Sequence, residues 1–444
     1  MRLTRHCSFV QNQENRVMKA HRHLFTVLLL PASLTIAACA PDGGLSSEED
    51  ATEAVAQAAT LPPEGGGVST NVVTEAPTGF DNLTNGFLAQ ADMDTARDTF
   101  DETELFTDGI GPVFNNTSCV SCHQNPFTAD GTGSQITELR AGHFNGTSFV
   151  DHPGGSLIND RANDPSIQER VLAGNEVRTL RLTISLAGDG FVECVDSNLL
   201  LAISNAQPAG QRGTLIQVPV LEAPGNNRAG RFGWKNQHSS LLSFAGDAYV
   251  NEMGVTNRLF TTENTSNGTN VQGGTFDGKA DPEDTANDID AFTAFMRSLK
   301  APPRGPITAA VTAGQTVFNN IGCATCHVGS MNTVAAGTAV NGGAFTCPAA
   351  LGDKTIHPFG DFLLHNVGTG DGIVQNGGQG TRLQVRTAPL WGIRARNRLM
   401  HDGLSFTVTD AITRHAGQAS TAVSNFNALG ATDRANLLAF IGSL

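Results

Sequence analysis

Apolar residues recur at helical spacing in two stretches of the chain. Between Asp288 and Leu299, and again between Asp433 and Leu444, they stand three or four residues apart, which predicts an amphipathic helix in each stretch. The apolar positions are Ile289, Phe292, Phe295, Met296 and Leu299 in the first stretch and Leu437, Leu438, Phe440, Ile441 and Leu444 in the second. Asp433 is the predicted N-cap of the second helix. We expect each helix to close a domain.

Shorter apolar runs between Gly and Asn residues predict strands and loops. Residues 180–186 and 215–220 are β-like runs inside a long segment, 130–220, that we interpret as an insertion. A second Gly-rich insertion is predicted over 328–353. The composition fits this interpretation, because 49 Gly residues and a charged fraction of only 16% are typical of a loop-rich globular protein rather than a helical bundle.

The Pro-rich hexapeptide at residues 301–306 is a predicted stiff linker and helix stop. A length of 444 residues favours two domains with extensions. The predicted division is a signal peptide at 1–39, a flexible acidic tether at 40–86, an N-terminal domain with its insertion at 87–300, the linker at 301–306 and a C-terminal domain at 307–444.

The first 39 residues have the pattern of a bacterial export signal. The apolar run at 24–38 follows a basic segment and is too short to span a membrane comfortably. It ends at Ile-Ala-Ala-Cys39, which resembles the lipobox of lipoproteins. We therefore expect a periplasmic protein whose only membrane attachment is a lipid anchor on Cys39, and Ala40 favours the outer membrane. Ordinary cleavage near the Ala pair is the alternative, and Met18 is a second candidate start.

The net charge of −14 argues against nucleic acid as a partner. Much of the acidity lies in residues 47–108, whose charged side chains are almost all Asp and Glu. We interpret this stretch as a solvated acidic linker rather than a binding surface.

Two Cys-x-x-Cys-His motifs are the strongest chemical feature of the sequence. They are Cys119-Val-Ser-Cys122-His123 and Cys323-Ala-Thr-Cys326-His327, and a Val-Phe-Asn-Asn tetrapeptide stands two residues before each. The spacing holds two thiols for the vinyl groups of a haem and an imidazole for its iron on one turn. We therefore predict two covalently attached haems c, with His123 and His327 as iron ligands. A zinc knuckle or a redox dithiol would need neither the adjacent His nor export.

Four cysteines lie outside the two motifs. Cys7 and Cys39 belong to the export segment, which leaves Cys194 and Cys347. In an oxidising compartment these two are candidates for a disulfide. Two buried thiols are the alternative, because sequence alone does not supply the geometry that a bridge requires.

Further motifs extend the pattern from residue 111 to residue 444. They are Gly-Pro-Val-Phe (111–114), Arg-Phe-Gly-Trp-Lys (231–235), Asn-Glu-Met-Gly (251–254), Leu-His-Asn-Val-Gly (364–368), Arg-Thr-Ala-Pro-Leu-Trp-Gly (386–392) and His-Asp-Gly (401–403). With these motifs the chain resembles the dihaem oxidoreductases of the bacterial dihaem cytochrome c peroxidase superfamily. The resemblance implies a mainly α fold of two cytochrome c-like domains, with Gly-rich loop insertions and a few short strands.

The resemblance also implies a function. A small redox protein, a cytochrome c or a cupredoxin, would donate electrons to the C-terminal haem. They would pass by way of Trp234 to the N-terminal haem, where a small oxidant such as hydrogen peroxide binds. Glu252 matches the distal carboxylate that moves a proton during peroxide cleavage. For Glu252 the alternative is an exposed turn residue, and Trp391 is the only other Trp. A calcium ion between the domains is a further, weaker implication.

One position departs from the pattern of these peroxidases. Their C-terminal haem has a Met ligand fourteen residues after the His of His-Asp-Gly, and here that position is His415. The resemblance therefore implies bis-His ligation by His327 and His415. A surface role for His415, or ligation by Met400 or Met331, are the alternatives.

The distal side of the first haem is left open by the sequence. His143, His152 and His238 are all candidates for a displaceable ligand. Tyr249 is a candidate radical site or a core residue. The remaining motif histidines, His365 and His401, are not assigned as ligands and are expected to bind haem propionates or brace loops.

Two other functions fit the same motifs. A bis-His electron-transfer cytochrome would relay charge without catalysis, and a dihaem enzyme of the same type would oxidise residues of a partner protein. An iron with two strong protein ligands transfers electrons, whereas an open position binds a small molecule. The sixth ligand of the first haem therefore separates these functions. A thiol oxidoreductase has little support, because nearly every Cys is accounted for.

Overall fold

Helices are the longest elements of the protein, and short strands are more numerous than expected. The computed structural model describes residues 61, 64, 72–124 and 136–444, so the predicted signal peptide, Cys39 and most of the predicted tether lie outside the described residues. The helices of the described part are α1 (Gln90–Asp101), α2 (Cys119–Cys122), α3 (Asp189–Glu193), α4 (Ser197–Ala206), α5 (Leu241–Met253), α6 (Asp288–Ser298), α7 (Ala309–Asn320), α8 (Val408–Arg414), α9 (Ser420–Ala428) and α10 (Ala431–Ile441).

The strands form one four-stranded sheet and several smaller pairs. They are β1 (Thr74–Glu75), β2 (Val113–Phe114), β3 (Thr137–Phe144), β4 (Phe149–Asp151), β5 (Leu157–Ile158), β6 (Arg161–Ala162), β7 (Val177–Leu182), β8 (Gln217–Pro219), β9 (Asn227–Ala229), β10 (Met331–Asn332), β11 (Ala339–Val340), β12 (Phe345–Thr346), β13 (Lys354–Ile356), β14 (Leu364–His365) and β15 (Val385–Arg386). β3 is central and pairs antiparallel with β4, β5 and β7. This sheet lies inside the predicted insertion, where β7 and β8 overlap the two predicted β-like runs.

Both predicted closing helices are confirmed. In α6 the face formed by Ile289, Phe292, Phe295 and Met296 is buried. α10 begins at Ala431 after an extended Gly430, so the prediction of Asp433 as its N-cap is wrong. Asp433 instead lies in the first turn, where a carboxylate favours the positive end of the helix dipole.

The repeated Val-Phe-Asn-Asn tetrapeptide adopts two different structures. Before the second motif it completes α7, but before the first motif Val113 and Phe114 form β2, which pairs with β6. The difference follows from the preceding residues. Gly111 has a positive φ of 94° and Pro112 has no amide hydrogen, so a helix does not continue into the tetrapeptide.

The larger hydrophobic core contains residues from both sides of the predicted linker. Side chains of α1, α5 and α6 pack with Met331, Ile356 and Trp391 from the C-terminal part. A second core joins α7 to α10 around Phe318 and Phe440. These helices approach closely because Gly314 lies against the backbone of Asn436, where a side chain would clash. The division into domains at 301–306 stays a prediction.

The segment before α1 is packed against the rest of the protein. β1 pairs in parallel with β13, and the Asn85 amide donates to the carbonyls of Arg297 and Leu299. The prediction of a flexible tether is therefore wrong for residues 72–86. The acidic composition of this segment gave no sign that its backbone pairs with β13. No helix in the described part of the chain is long and apolar enough to cross a membrane.

Cys194 and Cys347 form a disulfide, and both are fully buried. The two residues are 153 positions apart and lie on either side of the linker. Closing so long a loop restricts the unfolded chain strongly.

Removing this bridge is expected to destabilise the protein. The double substitution Cys194→Ser/Cys347→Ser should lower the free energy of unfolding by about 2–5 kcal/mol, measured by denaturant unfolding of the full-length protein. Wild-type protein reduced with dithiothreitol is the matched control and should show the same loss. Equal stability of the oxidised and bridge-free proteins would contradict a stabilising role.

Candidate functional site

The first Cys-x-x-Cys-His motif opens into a large cavity of about 1430 Å³. Cys119 and Cys122 lie on the short helix α2, and His123 follows at its end. The Asn116 amide contacts the Cys122 Sγ at 3.4 Å, and the Cys119 Sγ lies 4.0 Å from the Met253 Sδ. The same cavity is lined by Trp234 and Glu252, so the structure brings together all five site residues predicted for the first haem.

His123 is held in the neutral form that a metal requires. Burial lowers its pKa to about 4, against the opposing effect of a hydrogen bond to the Ile184 carbonyl. Its ring lies 6.1 Å from that of Phe100, measured between centroids. A neutral imidazole with one ring nitrogen on a backbone carbonyl leaves the other nitrogen for a metal.

Glu252 belongs to a pair of carboxyl groups that line the cavity. Its Oε2 accepts a hydrogen bond of 2.6 Å from the Asn115 amide. The pKa of Glu252 lies well above its ordinary value, because burial and the neighbouring Glu138 disfavour its charged form more than Arg140 and Asn115 favour it. For Glu138 burial is the largest effect and opposes ionisation, but Arg140, a hydrogen bond with Glu252 and Arg181 together outweigh it and lower the pKa. A proton shared by the pair is therefore held by Glu252 in preference to Glu138.

Glu138 and Arg140 are functional candidates that the sequence did not reveal. Both lie on β3, two residues apart, so their side chains project from the same face of the sheet. The Arg140 Nε donates to the Glu138 Oε1 at 2.6 Å, and both residues line the cavity with Glu252. The alternation of Glu and Arg was the only sequence signal, and it lay inside a segment interpreted as an insertion.

The shared proton can be tested by infrared titration of the full-length protein. In wild type a protonated-carboxyl band from Glu252 should persist at neutral pH. Glu138→Gln removes the like charge that raises the Glu252 pKa, so the band should vanish at a pH at least about one unit lower. Glu252→Gln should abolish the band. Glu176 is an exposed carboxylate that binds His143, so the variant Glu176→Gln is the matched control and should keep the band. A band unaffected by Glu138→Gln would contradict the coupling.

Trp234 lies on a route of contacts between the two motifs. Its indole Nε1 donates to the Leu182 carbonyl at 2.7 Å, and the Arg386 guanidinium lies 5.9 Å from its ring centroid. Arg386 is paired in β15 with β14, which carries His365. The Nδ1 of His365 is 3.7 Å from the Cys326 Sγ. The ribbon of β14 and β15 thus connects the first cavity to the second motif.

The second motif follows α7. The His327 Nδ1 lies 3.0 Å from the Phe359 carbonyl oxygen, and its ring is 6.3 Å from that of Phe318. Burial lowers the pKa of His327 to about 4 despite the hydrogen bond to Phe359, and the nearby His415 lowers it further. His327 therefore repeats the arrangement of His123.

His415 has the same arrangement at the end of α8. Its Nδ1 lies 2.7 Å from the Ala411 carbonyl oxygen, and burial lowers its pKa. His415 lies near enough to His327 to lower its pKa, and ligation of the second haem by both imidazoles stays a prediction. Met331 instead packs in the larger core, within β10. Met400 lies in a turn with a positive φ of 68°.

His365 and His401 hold loops in place. The His365 Nε2 lies 2.8 Å from the Asp361 Oδ2. Burial lowers the pKa of His365, but Asp361 and Cys326 together outweigh it and raise that pKa to about 10. A protonated imidazole is not a metal ligand. His401 bonds the Thr369 carbonyl through Nε2, and its ring packs against Trp234.

Of the three histidines proposed as distal ligands, only His238 lines the first cavity. Its Nε2 is 3.2 Å from the Asp247 carboxylate. His143 pairs with Glu176, and the His152 Nε2 faces the Arg170 carbonyl. Tyr249 also lines the cavity, is 3% exposed and donates to Glu104 at 2.7 Å. His238, Tyr249 and Glu252 therefore share the first cavity.

The residues of the first cavity fit a haem by their chemistry. Two thiols and a neutral imidazole come from one turn, and the apolar side chains of Phe100, Phe292 and Met296 line the walls. The cations Arg140 and Arg181 also line the cavity and are suited to carboxylate groups such as haem propionates. At the second motif, Phe318, Phe359 and Phe440 pack together beside His327.

Comparisons with known proteins agree with this chemistry. The family described as "Di-haem oxidoreductase, putative peroxidase" matches residues 129–444. No curated protein matches the sequence.

Three solved structures align with most of the chain at low identity. A hydrazine synthase from Kuenenia stuttgartiensis is 14% identical, with 95% of this chain and 100% of that chain covered and a TM-score of 0.38. A MauG-like protein associated with microbial copper homeostasis is 15% identical, with 86% and 94% covered and a TM-score of 0.39. The diheme peroxidase BthA from Burkholderia thailandensis is 14% identical, with 85% and 95% covered and a TM-score of 0.36.

Proposed function

Since this chain belongs to the di-haem oxidoreductase family and is a haem-dependent oxidoreductase, we propose that it reduces a small oxidant such as hydrogen peroxide at the first of its two haem sites. The observation that carries this proposal is the buried pair of Glu252, whose pKa is raised, and Glu138, whose pKa is lowered, in the cavity that contains Cys119, Cys122 and His123. Pairs of acids whose pKa values are driven apart are typical of acid–base catalysis.

Both haems are proposed to be attached covalently as haem c. Cys119 and Cys122 would hold one and Cys323 and Cys326 the other, and all four Cys are outside the disulfide. His123 and His327 would bind the irons. When bound, each haem supplies an iron that exchanges single electrons, and an iron with an open position binds a small oxidant.

The chain's own residues would handle the proton. The Glu138 carboxylate accepts the proton on the near oxygen of the bound oxidant, and the Glu252 carboxyl delivers its proton to the leaving oxygen. Arg140, which is 9% exposed and bonded to Glu138, stabilises negative charge that develops there. Proton movement of this kind contributes about 10²–10⁴-fold to a rate.

Electrons are proposed to reach this site from the second haem by way of Trp234. The contacts from Cys326 through His365 and the β14–β15 ribbon to Trp234 support this route. The donor would be a small cytochrome c or cupredoxin. Exposed Leu404 and Phe406, just before the helix that leads to His415, offer the apolar contact that such a transient partner uses.

An exported, periplasmic location with a lipid anchor on Cys39 remains part of the proposal. The Cys194–Cys347 disulfide supports it, because such bonds persist in oxidising compartments. The apolar run at 24–38 supports it from the sequence.

Electron paramagnetic resonance of the full-length protein, before and after one-electron reduction, tests the proposed function. A high-spin signal, or a five-coordinate signal that appears on reduction, is expected from the first haem, together with peroxide turnover. Denatured protein should retain both haems. Two low-spin bis-His signals that do not change, with no turnover, would instead identify an electron-transfer cytochrome.

A further inference from the structure

A second group of acidic side chains lies away from both motifs, in the loop that joins α5 to α6. The carboxylate oxygens of Glu263, Asp277 and Asp281 lie within 4.8 Å of one another. Glu283 is beside them, because the Thr256 hydroxyl donates to both the Asp281 Oδ1 and the Glu283 Oε2. Three carboxylates thus converge in the loop, and a fourth, Glu283, lies beside them.

Several of their oxygens are buried and have no hydrogen-bond donor. Glu263 is 7% exposed, and neither of its carboxylate oxygens has a partner in the described part of the protein. Glu283 is 1% exposed, and its Oε1 is likewise without a partner there. A buried carboxylate without a donor is costly, and a metal ion is one of the few groups that relieves the cost.

No basic side chain of the described residues forms an ion pair with these four carboxylates. Lys279 lies between Asp277 and Asp281 in the sequence, but its ammonium group points to the Asp108 carbonyl at 3.5 Å. The loop is therefore arranged for a positive charge that the chain itself does not supply.

We propose that Glu263, Asp277, Asp281 and Glu283 bind one calcium ion. The donors are oxygens only, which selects hard cations over zinc or copper. Calcium accepts six to eight oxygen ligands in irregular geometry, whereas magnesium requires a near-ideal octahedron and keeps several waters. This site is separate from the interdomain calcium implied by the resemblance, whose ligands are backbone and Asn or Thr oxygens.

The ion would hold the segment that follows the distal carboxyl group. The Thr256 amide donates to the Glu283 Oε2 at 2.9 Å, and Thr256 stands four residues after Glu252. The Glu252 carbonyl in turn accepts from the Asn115 amide at 2.8 Å. Calcium would thus fix the end of α5 against the residues before the first motif.

Calcium binding by the full-length protein with both haems attached tests the site. After dialysis against EGTA, isothermal titration of wild type should show one calcium site per chain that Glu263→Gln weakens, distinct from the interdomain calcium, with the calcium content confirmed by elemental analysis. The thermal midpoint should rise as calcium is added. Glu263→Gln should weaken binding at least about tenfold, because affinity follows the charge count of the ligands, and should remove most of the thermal rise.

Asp98 is an exposed carboxylate on α1, so the variant Asp98→Asn is the matched control and should bind calcium like wild type. In EGTA, Glu263→Gln should melt no lower than wild type, because it removes a buried carboxyl group that has no hydrogen-bond partner in the described part of the protein. Asp277→Asn, at a less buried position, provides the second variant. Absence of stoichiometric calcium binding by wild type would overturn the proposal. Equal affinity in wild type and both variants would overturn it as well, whether or not the protein turns over peroxide.

Discussion

Replacing Glu252 by Gln is expected to lower kcat/KM for hydrogen peroxide by about 10²–10⁴-fold while both haems remain attached. Gln keeps the size of the side chain and its contact with Asn115, but it has no proton to deliver to the leaving oxygen. Glu138 remains ionised beside Arg140 and retains only the accepting half of the transfer. The measurement is steady-state peroxide turnover, with haem content taken from the absorption spectrum.

Glu176→Gln is the control for the removal of a carboxylate near the same sheet. Glu176 is exposed and binds His143, so this variant should keep wild-type turnover. A Glu252→Gln enzyme with unchanged kcat/KM would remove Glu252 from the mechanism. Glu138→Gln removes the proton acceptor and should lower turnover as well. Loss of turnover in Glu138→Gln with unchanged turnover in Glu252→Gln would assign both halves of the proton transfer to Glu138.

The parts of the site that could be predicted from sequence are those that lie within short motifs. The spacing of Cys119, Cys122 and His123 is what haem attachment requires, since one turn presents both thiols and the imidazole. Glu252 and Trp234 were reached through tetra- and pentapeptide matches to a family. These residues belong to separate motifs, and only the structure shows that they line one cavity.

Glu138 and Arg140 could not be predicted in the same way. They reach the cavity because β3 pairs with β7 in a particular register, with Leu139 opposite Leu180. That register depends on tertiary packing and is not encoded in any local pattern. The Val-Phe-Asn-Asn repeat shows the same limit, because one tetrapeptide is a strand after Pro112 and a helix end after α7.

Substitution of His415 by Ala is expected to abolish the low-spin bis-His signal of the second haem. His415 and His327 each place Nδ1 on a backbone carbonyl, at 2.7 Å and 3.0 Å, which leaves Nε2 of each ring for the iron. Without the second imidazole, the iron should become high-spin in the resonance spectrum of the oxidised protein. The first haem should keep its signal.

His357→Ala is the matched control, because His357 is exposed and pairs with Glu75. An unchanged low-spin signal in His415→Ala, with its loss in Met400→Ala, would assign the ligand to Met400.

The variant His415→Met separates ligation from electron flow, because a thioether raises the haem potential relative to imidazole. If the second haem supplies electrons to the first, a higher potential there makes donation to the first haem less favourable, and peroxide turnover should fall. If the potential of the second haem rises in His415→Met and turnover stays unchanged, electrons must reach the first haem by another route.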